Sequence, residues 1–241
     1  TGGGEPLLHP DINEIIEYIK DELGIKIGIV TNGTLVKKLT IPNWNRLTWV
    51  RFSLGDSKNN GKNFKEVYWK NLDSIVRTVN TDFSFSYVAT KNYDLNLILE
   101  TIRFSNEHNF THIRMTTDIL KGDMGSLLSD IRFEVRQCED DRHVIYQDRG
   151  KWAHGRAVCY LSLLKPVIGA DGKIYPCCGC QYMYKEPSID YVGEMGDISQ
   201  IEKIYENQLF YNGSDCYRCF YDHYNYYLEL LMKGLKHKEF L

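Results

Sequence analysis

The stretch Ile25-Lys26-Ile27-Gly28-Ile29-Val30-Thr31-Asn32-Gly33 decides the fold. Its first six residues form a strand-like apolar run, and Thr31-Asn32-Gly33 stops that run with residues that favour turns. Ahead of it, Ile12, Ile15, Ile16, Ile19 and Leu23 recur at helical spacing with Asp11 placed as an N-cap, so a surface helix with a buried stripe precedes the strand. After a short helical stretch around Leu35 to Leu39 the unit repeats. Trp49 to Leu54 reads as a strand ended by Gly55-Asp56, and Phe64, Val67, Tyr68, Leu72, Ile75, Val76 and Val79 give a long amphipathic helix. Phe83, Phe85 and Tyr87 alternate into a third strand, Asp94 caps a helix carrying Leu95, Ile98, Leu99 and Ile102, and His112 to Thr116 is a fourth strand.

Four strands separated by helical patterns, at about 30 residues per βαβ unit, imply a parallel sheet with crossover helices. The pattern alone fits an open doubly wound sheet and a barrel equally. In both, residues that handle ligands belong at the carboxyl ends of the strands. Gly2-Gly3-Gly4-Glu5, Thr31-Asn32-Gly33, Ser53, Lys91-Asn92 and Thr116-Thr117 fall at those ends.

After about residue 118 the pattern changes. Residues 118 to 140 are mixed with some helical character, 141 to 156 are charged with weak periodicity, and short strands, glycine turns and cysteines follow. The boundary falls near 140 to 150, giving expected domains of residues 1–145 and 146–241. Pro166-Val167-Ile168 and Lys173-Ile174-Tyr175 flank Gly169-Ala170-Asp171-Gly172, a β-hairpin with Asp-Gly turn chemistry. Ile198 to Phe210 and Cys219 to Leu235 read as helices.

Composition bounds the function. The 241 residues are 43% hydrophobic, enough for a sizeable core, and the net charge of -3 gives no basic excess for tracking phosphates, which disfavours nucleic acid as a partner. No apolar run is long enough to cross a bilayer, so no membrane association is expected. Six of the seven cysteines crowd between Cys159 and Cys219, a density that reads as metal ligation in a reducing compartment, with cytoplasm the default.

Cys216-Tyr217-Arg218-Cys219 is a Cys-x-x-Cys pair that lets two thiolates converge on one metal or one cluster edge, and the hairpin brings Cys159 and Cys177 to the same end of a ribbon. Cys177-Cys178-Gly179-Cys180 is a second Cys-x-x-Cys, so pairing Cys177 and Cys180 with Cys216 and Cys219 on one zinc is equally open on spacing. Cys138 stands alone in a polar stretch and reads as an inert thiol.

Taken in order, Cys159, twelve residues, Gly172, four residues, Cys177, a gap and Cys216-x-x-Cys219 resemble the auxiliary-cluster motif of the SPASM/twitch group in the radical S-adenosylmethionine (SAM) superfamily. Gly3-Gly4-Glu5-Pro6-Leu7 is similar to that superfamily's GGEP motif, Gly28 to Thr34 to its third strand and turn, and Phe52-Ser53-Leu54-Gly55 to its fourth strand end. The stretch Phe220 to Tyr227 lacks the further cysteines of the longer SPASM pattern, which matches the shorter twitch form.

The resemblance implies an α/β fold: a partial (β/α)6 TIM-like barrel lacking its first βα unit, followed by a small cysteine-rich α+β twitch domain. It implies an oxidoreductase or maturase-type enzyme that reductively cleaves SAM to a 5′-deoxyadenosyl radical, which abstracts hydrogen from a peptide, protein or small-molecule substrate. An electron donor such as flavodoxin or ferredoxin would serve it. By the same resemblance Gly3, Gly4, Glu5 and Pro6 line the methionyl amino group of SAM, and Thr31, Asn32 and Ser53 reach its remaining contacts. Arg114 pairs with a carboxylate of SAM or substrate, and Cys159, Cys177, Cys216 and Cys219 ligate an auxiliary [4Fe–4S] cluster. The departure from the pattern is that residues 1–137 hold no cysteine, so the catalytic [4Fe–4S] cluster is expected on a segment upstream of Gly2, and the chain by itself is expected to be inactive.

Each motif also has a plainer reading. Glycines before Glu-Pro and the Thr31-Asn32-Gly33 run make ordinary turns, Ser53 can be a buried hydroxyl, and Arg114 can satisfy a neighbouring Asp. His154, Arg156 and His223 read as surface polar groups, and Tyr221 to Tyr227 as a half-buried helix face. A zinc-binding interaction module and a noncatalytic remnant on an α/β scaffold are the competing classes.

Overall fold

The computed structural model describes residues 4–54, 64–118, 124–149, 153–180, 193–216, 219 and 221–234. The chain divides into two compact units, one running to Gly150 and the other from Lys151 onward.

The first unit is an α/β layer around a parallel sheet of β1 (Gly28–Thr31), β2 (Trp49–Leu54), β3 (Asp82–Ala89), β4 (His112–Thr117) and β5 (Val144–Gln147), in that spatial order. Consecutive order means that the sheet is singly wound, with no reversal of direction of the kind that defines a doubly wound sheet. One face carries Val50, Phe52, Phe83, Phe85, Tyr87, Ile113 and Met115, all buried. These pack in a single cluster with residues of α1 (Ile12–Glu17), α2 (Ile41–Arg46), α3 (Phe64–Val76), α4 (Leu95–Glu107) and α5 (Gly125–Arg136), so the helices cover that face. Phe85 is fully buried and lies against the rings of Phe52, Trp69, Phe104 and Phe110. The opposite face carries Arg51, Ser53, Ser84, Ser86, His112 and Arg114, the alternate residues of the same strands.

Local chemistry explains most of these boundaries. Asp94 Oδ1 accepts from Leu97 N at 3.0 Å and starts α4 as an N-cap. Asp11 occupies the N-cap position of α1 without a side-chain cap bond, and the expected stripe is only partly buried: Ile12 and Ile16 are inside, Ile15 and Leu23 exposed. That helix continues as a π-turn over Tyr18–Glu22. Thr40 Oγ1 accepts from Asn43 N at 3.4 Å and opens α2, a short helix that apolar periodicity does not mark because it spans under two turns. The fifth strand is likewise absent from the sequence reading. It has four residues, pairs on one side with β4, and leaves Ile145 exposed, so it lacks the alternation that marks longer strands. Among the described residues no helix is long and apolar enough to cross a membrane.

The second unit contains a small antiparallel sheet, β6 (Val167–Ile168), β7 (Lys173–Tyr175) and β8 (Gly196–Asp197), whose first pair is the expected hairpin. Among the described residues three helices accompany it: α6 (Leu161–Leu164), α7 (Ile201–Glu206) and α8 (Asp222–Met232). The helix expected over 198–210 begins as a 3-10 turn and ends at Glu206, where Gln208 takes a φ of 48°. Residues 153 to 159 run antiparallel to 211 to 219, through Ala153 paired with Cys219 and Cys159 paired with Tyr211.

Candidate functional site

Backbone pairing of those two segments places the thiols. Ala153 N donates to Cys219 O at 3.1 Å, Gly155 N to Cys216 O at 2.7 Å, and Cys159 N to Tyr211 O at 3.0 Å. Gly155 permits the approach: a Cβ there would stand 2.2 Å from Gly213 O and 2.8 Å from the Cys216 Cβ. Tyr175 ends β7 and delivers Pro176 and Cys177 to the same place.

The result is one pocket lined by five cysteines, Cys159, Cys177, Cys180, Cys216 and Cys219, with Leu161, Pro176, Tyr211 and Tyr221 among its walls. All seven cysteines are free thiols. The four expected ligands therefore share a pocket, together with Cys180, which the family pattern omits. Cys178 is not among the lining residues, and its Sγ lies 3.3 Å from the hydroxyl of the wall residue Tyr221; Cys138 is exposed in the other unit.

Three of the sulfurs are in direct contact. The Sγ atoms of Cys177 and Cys180 are 3.8 Å apart, and Cys180 also meets Cys216. Hydrogen bonding from Cys180 pulls Cys177 down to about 7 and lowers Cys216, while Cys180 itself is pushed up and keeps its proton. Burial raises Cys159, and takes Cys219 up to about 12. In the metal-free protein Cys177 and Cys216 thus ionise more readily than Cys159, Cys180 and Cys219, which would release protons on binding a metal.

Outside the sulfurs, Asn225 on α8 is buried to 1% exposure. Its Nδ2 lies 3.6 Å from Cys159 Sγ, and its Oδ1 accepts from Leu161 N at 3.1 Å, which fixes the amide's orientation. Arg156 holds α8 in register: its Nε donates to Asp222 at 2.7 Å, its Nη1 donates to Glu229 at 3.1 Å, and it stacks over Tyr226. The hydrogen-bonding surface role expected for Arg156 is thus met, with Asp222 and Glu229 as its partners. Nothing in the sequence pattern marks Asn225, which sits inside a tyrosine-rich run.

Among the described residues no group of three or more His, Cys, Asp or Glu side chains is arranged to hold a single metal ion. Thiolates on one zinc, at about 2.3 Å from the metal, stand about 3.8 Å from one another. The Cys177–Cys180 pair meets that spacing. A four-iron cluster is wider than one ion, so its cysteine ligands stand farther apart around it.

The other expected residues lie in the sheet unit. Gly3 lies outside the described residues. Gly4 is exposed, with open space around it, and Pro6 starts a 3-10 turn. Glu5 is a brace: its Oε1 accepts from Thr31 Oγ1 at 2.6 Å and from Leu7 N at 3.1 Å, and its Oε2 accepts from Asn32 N at 2.7 Å. Glu5, Thr31 and Asn32 are thus brought together at the carboxyl end of β1. Asn32 Oδ1 accepts from Thr34 N at 2.9 Å, as in an ordinary Asx turn, so the group it can offer a ligand is its amide nitrogen. Gly33 has φ +75°, and a Cβ there would stand 2.9 Å from the Tyr68 ring. Ser53 and Arg114 share one row of the sheet with Ser86 between them, and Arg114 Nε donates to Gln147 Oε1 at 3.0 Å.

No protein-family model matches the chain, and no curated protein matches it.

Proposed function

We propose that the chain is the barrel-forming and auxiliary-cluster part of a radical SAM enzyme. In this reading the singly wound sheet is a partial (β/α)6 barrel, and the cysteine unit is a twitch domain. The observation that carries it is the convergence of Cys159, Cys177, Cys216 and Cys219 on one pocket, because those positions are drawn from segments up to 60 residues apart in the chain. When bound, SAM and its catalytic cluster supply a 5′-deoxyadenosyl radical for hydrogen abstraction from a peptide, protein or small molecule.

The chain's own residues then have defined tasks. The four thiolates hold the auxiliary [4Fe–4S] cluster, and Asn225 donates to the Cys159 sulfur, a hydrogen bond of the kind that sets cluster potential. Glu5 locks the opening turn to Thr31 and Asn32, so that backbone groups and the Asn32 amide face a ligand at the strand tips. Ser53 offers a hydroxyl on the adjacent strand. A reducing cytoplasm and a flavodoxin- or ferredoxin-type donor belong to the same reading.

A second reading places one zinc on Cys177, Cys180, Cys216 and Cys219 in an interaction module, and the 3.8 Å contact between Cys177 and Cys180 favours it. One pair of variants separates the two. Anaerobic reconstitution should give a brown protein with iron and sulfide in equal amounts; Cys159→Ala should abolish uptake and Cys180→Ala should not. A colourless zinc protein that tolerates Cys159→Ala and fails with Cys180→Ala would establish the second reading instead.

A further inference from the structure

Four of the five sulfurs in the pocket have a task as cluster ligands, which leaves Cys180 without one. It is the most deeply set of them, 2% exposed, while Cys177 is half-buried. Gly193 closes over it: a Cβ there would stand 3.1 Å from Cys180 Sγ and 2.9 Å from the Tyr211 hydroxyl. Cys178 and Gly179 form a turn between Cys177 and Cys180, whose Sγ atoms lie 3.8 Å apart, and both thiols are free. Because the pair sits on one turn, closing from that contact to an S–S bond of about 2.0 Å draws on side-chain rotation. Cys180 also meets Cys216, but a bridge there would close the chain over residues 180–216 instead of 177–180, and the shorter loop has the lower closure cost.

We propose that Cys177 and Cys180 are a reversible modification site for a small disulfide of the oxidised glutathione class, which converts the pair to an intramolecular disulfide and takes Cys177 out of the ligand set. The order of events follows exposure. The Cys177 sulfur, having given up its proton, attacks one sulfur of the small disulfide; that S–S bond breaks, and one small thiol leaves carrying a proton. The Cys180 sulfur, covered by Gly193 and close to Cys177, then gives up its proton, attacks Cys177 in the mixed disulfide and expels the second small thiol. Two electrons and two protons pass from the protein pair to the small disulfide, and excess thiol reverses both steps. The effect on ligation rests on the cluster reading, in which Cys177 is a ligand and Cys180 is not; formation of the bridge does not rest on it.

The test incubates the metal-free full chain in glutathione buffers of graded oxidised-to-reduced ratio, blocks the remaining thiols by alkylation, and weighs the tryptic peptide spanning residues 174–185. In the wild type and in Cys178→Ser that peptide should become two hydrogens lighter, saturably, and a dithiol should restore it. Cys180→Ser should stop at the first step and accumulate glutathione on Cys177. Chain loaded with iron and sulfide, its Cys177 sulfur engaged, should oxidise about tenfold more slowly than the metal-free chain. If iron is not taken up, the cluster reading fails while the bridge is still read out, and the rate comparison is made with zinc-loaded chain. A wild-type peptide that stays reduced or stops at the mixed disulfide, a bridge from Cys180 to Cys216 in its place, or equal oxidation rates with and without bound metal would each overturn the proposal.

Discussion

The two units are stabilised by different chemistry. Among the described residues the sheet unit gathers thirty buried apolar side chains into one cluster, with Phe52, Phe83, Phe85 and Phe110 stacked at its centre and Phe104 edge-on to Phe85 and Phe110. The cysteine unit's cluster rests on Cys180, Tyr211 and Cys216, with Cys159, Cys177, Met195 and Cys219 packed around them. Sulfur takes the place that branched aliphatics hold in the sheet. A small domain without a large apolar core needs a staple, and where the staple is inorganic its binding free energy is folding free energy. The largest expected effect follows. Metal-free chain should show fast amide exchange across residues 153–177 and 196–234 and unchanged protection in β2, β3 and β4. A metal-free cysteine unit as well protected as the sheet would erase the contrast.

The converse variant acts on the other side. Phe85→Ala removes a fully buried ring that touches four aromatic neighbours, so it should cost about 3–5 kcal/mol of stability. Metal content per folded chain should stay the same. Denaturant melts paired with metal analysis check both halves, and a loss of metal in Phe85→Ala would mean that the units do not hold independently.

How far the sequence revealed each unit follows the same division. The sheet was legible because Val50, Phe52, Phe83, Phe85 and Ile113 repeat a strand pattern of period two, and the Asp94 cap announces its helix chemically. Where periodicity had too few residues to act on, at α2 and β5, the elements went unseen. In the cysteine unit, spacing identified the thiols, and the pocket gathers them, but spacing is blind to which sulfurs of separate segments touch. The Cys177–Cys180 contact is the local one that the Cys-x-x-Cys spacing offers, whereas the meeting of Cys180 with Cys216 joins distant segments and has no sequence signature. Asn225 escaped for the same reason. A buried amide facing a sulfur 66 positions away is a property of packing.

Asn225 offers a finer cut. Asn225→Ala removes the acceptor for Leu161 N as well as the donor to Cys159 Sγ, and leaving a buried donor unmet costs about 1–3 kcal/mol. Asn225→Asp keeps the acceptor and loses the donor, turning a carboxylate oxygen toward a thiolate. The Asp variant should therefore keep its fold when metal-bound yet show a lower cluster reduction potential, or about 10–100-fold weaker metal binding. Potentiometry and competition with a chelator read these out. Equal potentials and affinities in wild type and Asn225→Asp would make Asn225 a packing residue only.

The smallest effects compare one device used in both units. Asp94 caps α4 through Leu97 N, and Asp197 caps the turn before α7 through Ser199 N at 3.0 Å while Gln200 Oε1 accepts from Asp197 N at 3.0 Å. Asp94→Ala should lower the stability of the sheet unit by about 1 kcal/mol with no change in metal affinity, since that unit folds on its own apolar core. Asp197→Ala removes an equivalent bond from the cysteine unit, which on the proposed reading folds together with its metal. The same kind of loss should then surface as weaker apparent metal affinity, because every contribution to folding in a coupled system is also a contribution to ligation. Chelator competition on both variants resolves this. If Asp197→Ala leaves metal affinity untouched, the cysteine unit is folded before the metal arrives, and its sulfur core is a preformed site.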